Sequence, residues 1–233
     1  RGVGGAVASA IGERLARLFD LSNTVALDAA NVASRDGHFG ADGKAAERLR
    51  AELEKLRQSQ RDAIEASVTA ERIGTRNGLP APQAGPSPAE PPDFEPYRRF
   101  YQSKQRQMAA AVPPLRLKAR GALTDHGPAL ARLARIDAVL DNTLTGYARK
   151  GFGAVPGVLE KRFLALWPDR QHSLLSDTPG DDPRDWMKEG AWLHRFCQEM
   201  KTLLLAELDT RLEPVQGLLM ALESAHNDPQ GPQ

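Results

Sequence analysis

A chain of 233 residues, 41% hydrophobic and 26% charged, has the composition of one large folded domain or two small ones, and it is long enough to hold a core without disulfide or metal. Its single cysteine, Cys197, excludes an intramolecular disulfide and fits a reducing compartment. The net charge of +1 hides an asymmetry: residues 98–170 carry 14 Lys/Arg against 5 Asp/Glu, and residues 177–228 carry 5 against 11.

Sparse aromatics with abundant alanine and leucine favour helix over sheet. No apolar run approaches the roughly 20 residues of a membrane span, and residues 2–12 lack the basic start and cleavage site of a signal peptide. The chain begins with Arg1 rather than Met, which suggests a trimmed start.

Val3, Val7, Ile11, Leu15 and Leu18 fall on one helical face, so residues 3–19 read as a helix. A break at 20–23 follows, with Ser22 or Asn23 as N-cap, then a short helix over 24–33. The three glycines of 34–43 mark a loop. Residues 45–73 form a long solvated helix whose narrow stripe (Leu49, Leu53, Leu56, Ile64, Val68) suits helix pairing, within the chain or with a partner.

Six prolines in residues 75–95 read as a flexible or semi-extended linker without structure of its own. Beyond it, Tyr97, Tyr101, Lys104 and Met108 make a helical stripe. Pro113-Pro114 predicts a new helix or a sharp kink. After a turn at 121–128, Leu130, Leu133, Ile136, Leu140, Leu144 and Tyr147 mark the next helix. Gly151-Phe152-Gly153 predicts a break, and Pro156 opens a helix carrying Leu159, Phe163, Leu166 and Trp167. Residues 168–183 read as a polar loop. The last helix spans about 184–223, kinked near Pro214, with an apolar seam of Leu205, Leu208, Leu212, Val215, Leu219 and Leu222 at spacings suited to helix-on-helix, coiled-coil-like packing. The expected fold is all-α: a small N-terminal helical part (1–74), the Pro-rich linker (75–95) and an elongated helical bundle (96–224).

Candidate chemistry is thin. Gly2-Val3-Gly4-Gly5 resembles the start of a dinucleotide-binding run, but the third glycine position is Val7 and no strand precedes it. His194 and Cys197 lie three apart on one helix and would suit a nucleophile pair, against the plainer reading of a buried thiol beside a rim histidine. Glu223 and His226 form half of a di-iron bundle motif with no second copy. Asp137, Glu207 and Asp209 border apolar faces and read as carboxylates paired with Arg132, Arg135 or Arg211 across a helix interface. No catalytic, cofactor-binding or metal-binding set stands. Arg98, Arg99, Lys104, Arg106, Arg116, Lys118 and Arg120 make up an acid-free basic stretch beside Tyr97, Phe100 and Tyr101, a candidate partner-binding face. Basic and aromatic residues together would also suit single-stranded nucleic acid.

Several stretches resemble an uncharacterised helical family of proteobacteria, a domain of unknown function. They include Pro96-Tyr97-Arg98-Arg99, Leu130-Ala131-Arg132-Leu133-Ala134, Leu159-Glu160-Lys161-Arg162-Phe163 and above all residues 203–209 with Arg211-Leu212, Pro214-Val215 and Gly217-Leu218-Leu219. The resemblance covers most of residues 94–223 and, more loosely, the first 40. Such proteins usually begin with one more helix, which again implies a truncated start. The resemblance carries no functional residue. It implies gene neighbours of the proton-channel, flagellar-stator or Tol/Exb type, and hence a cytoplasmic accessory of an envelope motor complex. The expectation is a non-enzymatic helical scaffold or adaptor with protein partners and a capacity for self-association; nucleic-acid binding by the 98–120 face is the alternative.

Overall fold

The computed structural model describes residues 26–30, 43–85, 90–174 and 182–227, and among them there are helices and no strands. The all-α bundle expected from composition and periodicity is what forms. Residues 26–30 are helical, within the expected 24–33. The helix read over 3–19 and the loop read over 34–43, apart from residue 43, lie outside the described residues.

Four long helices follow: α1 (Ala45–Ser67), α2 (Glu95–Thr124), α3 (Pro128–Leu174) and α4 (Trp192–Asn227). Helix α1 is built mostly from Ala, Leu, Glu, Arg and Lys, all strong helix formers. It ends at Ser67, short of the expected residue 73, because three groups close its last turn. The Ser67 hydroxyl donates to the Ile64 carbonyl at 2.6 Å, the Leu79 N–H to the Ser67 carbonyl at 3.0 Å, and Lys104 Nζ to the Ala63 carbonyl at 3.3 Å.

A 3₁₀ turn (Ala70–Arg72) then leads into the Pro-rich stretch. Its first part is tied down: Gly74, at φ 78°, donates its N–H to the Leu79 carbonyl at 2.7 Å, and Leu79 is fully buried. A Cβ on Gly78 would sit 1.8 Å from the Arg72 carbonyl oxygen, so only glycine fits there. Residues 79–85 have no helix or strand.

Three expected breaks are corrected. Helix α2 runs unbroken through Pro113-Pro114. Both prolines face outward, while Met108, Val112, Leu115 and Ala119 keep a continuous buried stripe on the other side, so packing outweighs the lost backbone bonds. Helix α3 continues through Gly151-Phe152-Gly153 and Pro156 and reaches Leu174, well into the expected polar loop. Its real boundary is Gly127, at φ 124°, with Pro128 in the first turn. Before α4, a 3₁₀ turn (Pro183–Met187) is capped by the Asp182 carboxylate, which accepts from the Arg184 N–H at 2.9 Å. Pro214 lies inside α4.

The chain groups into two compact units, each drawing on all four helices. Residues up to 53, 114–151 and from 214 make the first; residues 54–113 and 152–213 make the second. The core of the first unit includes Leu49, Leu53, Leu115, Leu123, Ala134, Val215 and Leu222. The second is dominated by rings: Phe163 lies 5.1–5.4 Å from Phe94, Tyr97, Trp192 and Phe196, and Trp167 and Trp186 each pack on Trp192 at 5.6 Å. The α4 seam forms as expected at Leu208, Leu212, Val215, Leu219 and Leu222, all buried; only its first member differs, Leu204 rather than Leu205, and the seam extends back through Met200, Phe196 and Leu193.

Candidate functional site

The best-organised polar centre of the second unit surrounds Glu207, only 5% exposed. Its carboxylate accepts four hydrogen bonds. Arg211, one turn on, donates to one oxygen through Nε at 2.9 Å and Nη2 at 2.6 Å. The Tyr101 hydroxyl and the Gln105 amide, successive on one face of α2, donate to the other at 3.1 and 2.9 Å. Gln105 also donates to the Phe152 carbonyl at 2.9 Å, and the Arg211 guanidinium lies 4.1 Å from the centroid of the Phe152 ring. Burial, and then the neighbouring Glu207 charge, push the Tyr101 phenol above its usual range, so it stays a donor.

The first unit holds a different arrangement. Arg116 and Arg120 on α2 face Asp137 and Asp141 on α3, with each arginine bonded to both carboxylates at 2.6–3.0 Å. Burial acts to raise the Asp137 pKa, but the hydrogen bonds and charges of Arg116 and Arg120 outweigh it and hold the carboxyl below the usual aspartate range. The expected partners Arg132 and Arg135 are not the ones used: both share α3 with Asp137, and Arg135 Nε donates to the Ala30 carbonyl at 3.3 Å. Glu207 does pair with Arg211, but within α4 rather than across an interface, and Asp209 lies 4.0 Å from Arg61.

The other candidates separate. Cys197 is buried among apolar groups, and that burial pushes its thiol up to about 12, far from a reactive thiolate at neutral pH. His194 contacts the Gly190 N–H at 3.4 Å and Gln198 Nε2 at 3.3 Å. Glu223 takes Arg50 at 2.6 Å, and His226 is exposed. Among the described residues no group of three or more His, Cys, Asp or Glu is placed to hold a metal.

A family described as a protein of unknown function, DUF3348, matches residues 4–224. The chain belongs to the DUF3348 family. No curated protein and no solved structure matches it. The 203–219 stretch of this DUF3348 chain, on which the resemblance rested most heavily, contains both Glu207 and Arg211.

The basic stretch of the DUF3348 chain is divided. Arg98, Arg99, Lys104 and Arg106 belong to the second unit and Arg116, Lys118 and Arg120 to the first. Arg98 bonds Glu160 at 2.6 Å and lies 5.4 Å from the Phe94 ring; Arg99 bonds Glu95 at 3.0 Å. Lys104 is buried beside the Phe100 ring, and burial, with Arg72 second, lowers its pKa. Lys118 reaches Glu52 at 2.6 Å, and Arg106 is exposed.

The sequence reading does not assign these roles to Tyr101, Gln105, Phe152 and Asp141. Their signal was present as pairs spaced by four: Tyr101/Gln105, Arg116/Arg120, Asp137/Asp141 and Glu207/Arg211, each placing two polar groups on one helical face.

Proposed function

We propose that this DUF3348 protein is a non-enzymatic helical scaffold that acts by binding other proteins. The observation that carries this reading is how its polar groups are used. The two ordered polar centres, at Glu207 and at Asp137, have their oxygens engaged by the chain's own donors, an arrangement suited to holding helices together. Large apolar side chains meanwhile stand exposed on the helices, among them Leu117, Tyr147, Val158 and Met220 at 50–66%.

A cytoplasmic role beside an envelope proton channel rests on the family resemblance alone. Among the described residues no helix is long and apolar enough to cross a membrane. Nucleic-acid binding has less support, because Arg98, Lys104, Arg116 and Arg120 are engaged within the fold.

Crosslinked pull-down of the tagged full chain from its host, read by mass spectrometry, tests the reading. Reproducible recovery of one protein complex is expected, and a channel component would place it at the envelope. Recovery of nuclease-sensitive material alone, with affinity falling steeply as salt rises, would overturn it in favour of the basic stretch.

A further inference from the structure

Helix α3 is unusual where its sequence predicts a break. Residues 145–151 are all exposed, seven in succession, so that no face of the helix is covered over nearly two turns. Gly146, Gly151 and Gly153 fall in or beside this stretch, and a Cβ added at any of them would meet nothing within 4 Å. Close packing therefore gives no reason for glycine there, and glycine weakens a helix interior. At its start, the Thr143 and Thr145 hydroxyls donate to the carbonyls four residues back, at 2.9 and 2.6 Å, a bond that competes with the helical ladder. On either side the helix is anchored, by Leu130, Ala131 and Ala134 before it and by Leu159, Phe163 and Leu166 after it.

The geometry points to residues 145–153 as a conformational break built into α3, a segment that unwinds locally while the anchored helix on either side stays formed. Helical in the ground state, it is the part of α3 with the least to lose on opening: few buried contacts, exposed backbone bonds and poor intrinsic propensity. Its edge is also tied to the Glu207 centre. Phe152 supplies the carbonyl that accepts from Gln105 and the ring under Arg211. Unwinding as far as Phe152 withdraws both, so the packing around Glu207 responds to the state of this segment. The break does not depend on the scaffold role.

Hydrogen exchange on the full chain tests it. The amides of 149–155 and 157, whose acceptors lie in 145–153 (Pro156 has no N–H), are expected to exchange at least about tenfold faster than those of 131–140 and 159–166, and limited trypsin digestion should cut first after Arg149 or Lys150. The variant G146A/G151A/G153A should slow exchange of 149–157 by about 100-fold, on the order of fivefold per residue, and leave the flanking amides unchanged. Uniform protection along 131–166 in the unaltered protein would overturn the proposal without recourse to any variant. So would fast exchange that the three alanines leave as it was.

Discussion

The two units solve the same problem, holding charge inside a helical bundle, in different ways. Around Asp137 four charges form a closed ring in which each arginine has two carboxylates and each carboxylate two arginines. Around Glu207 one carboxylate is shared by one arginine and two neutral donors. The ring is redundant, since losing one member leaves every remaining charge a partner. The Glu207 centre is not redundant, because the same carboxylate serves all three donors. The lesson is that counting ion pairs says less about stability than asking what is orphaned when one group goes.

Truncation should break the comparison most completely. A fragment beginning at residue 75 loses the buried Leu53 and Ile64 and the carbonyl that Lys104 uses. Loss of cooperative thermal unfolding, followed by circular dichroism, is expected. A fragment that still melts cooperatively would instead support an autonomous domain over 96–224, as the Pro-rich stretch suggested.

Among point variants, Glu207→Ala should be the most costly polar change, about 3–5 kcal/mol in chemical denaturation, because Tyr101 and Arg211 lose their acceptor and Gln105 keeps only the Phe152 carbonyl. Asp137→Ala should cost about 1–3 kcal/mol, since Asp141 still accepts from Arg116 and Arg120. Equal losses at the two sites would remove the distinction between a redundant and a single centre. Arg162→Ala marks the floor. Its pair with Glu199, at 2.6 Å but with both side chains about two-fifths exposed, should contribute no more than about 1 kcal/mol.

Acid sharpens the contrast further. The folded pKa of Asp137 is lowered, so its contribution is fully present above the ordinary aspartate value, near 4, and is lost as pH falls from there through the folded value. Asp137→Asn should flatten that acid limb of a stability–pH curve. An unchanged limb would assign the acid sensitivity to other carboxylates.

Fold class was legible because helix periodicity is repeated in every long segment, and the α4 seam was legible except at its first member, where Leu203-Leu204-Leu205 offers three adjacent leucines to choose from. Helix ends were less legible. Pro113-Pro114 and Gly151-Phe152-Gly153 are strong local breakers, and local rules take no account of the buried side chains before and after them that carry the helix through. The partners of the basic stretch were hidden for a related reason. A run of like charge along one segment says nothing of which helix faces it, and Arg116 and Arg120 turn out to face two aspartates from α3.

The burial of Cys197 gives the protein an internal clock. It is the chain's only thiol and is 1% exposed, with its ionisation pushed up to about 12. A thiol reagent in solution should therefore react only with molecules in which the ring-lined core around Phe196 has opened. The rate of that reaction reads the opening of the second unit directly, with no label to introduce and no second cysteine to confuse the signal.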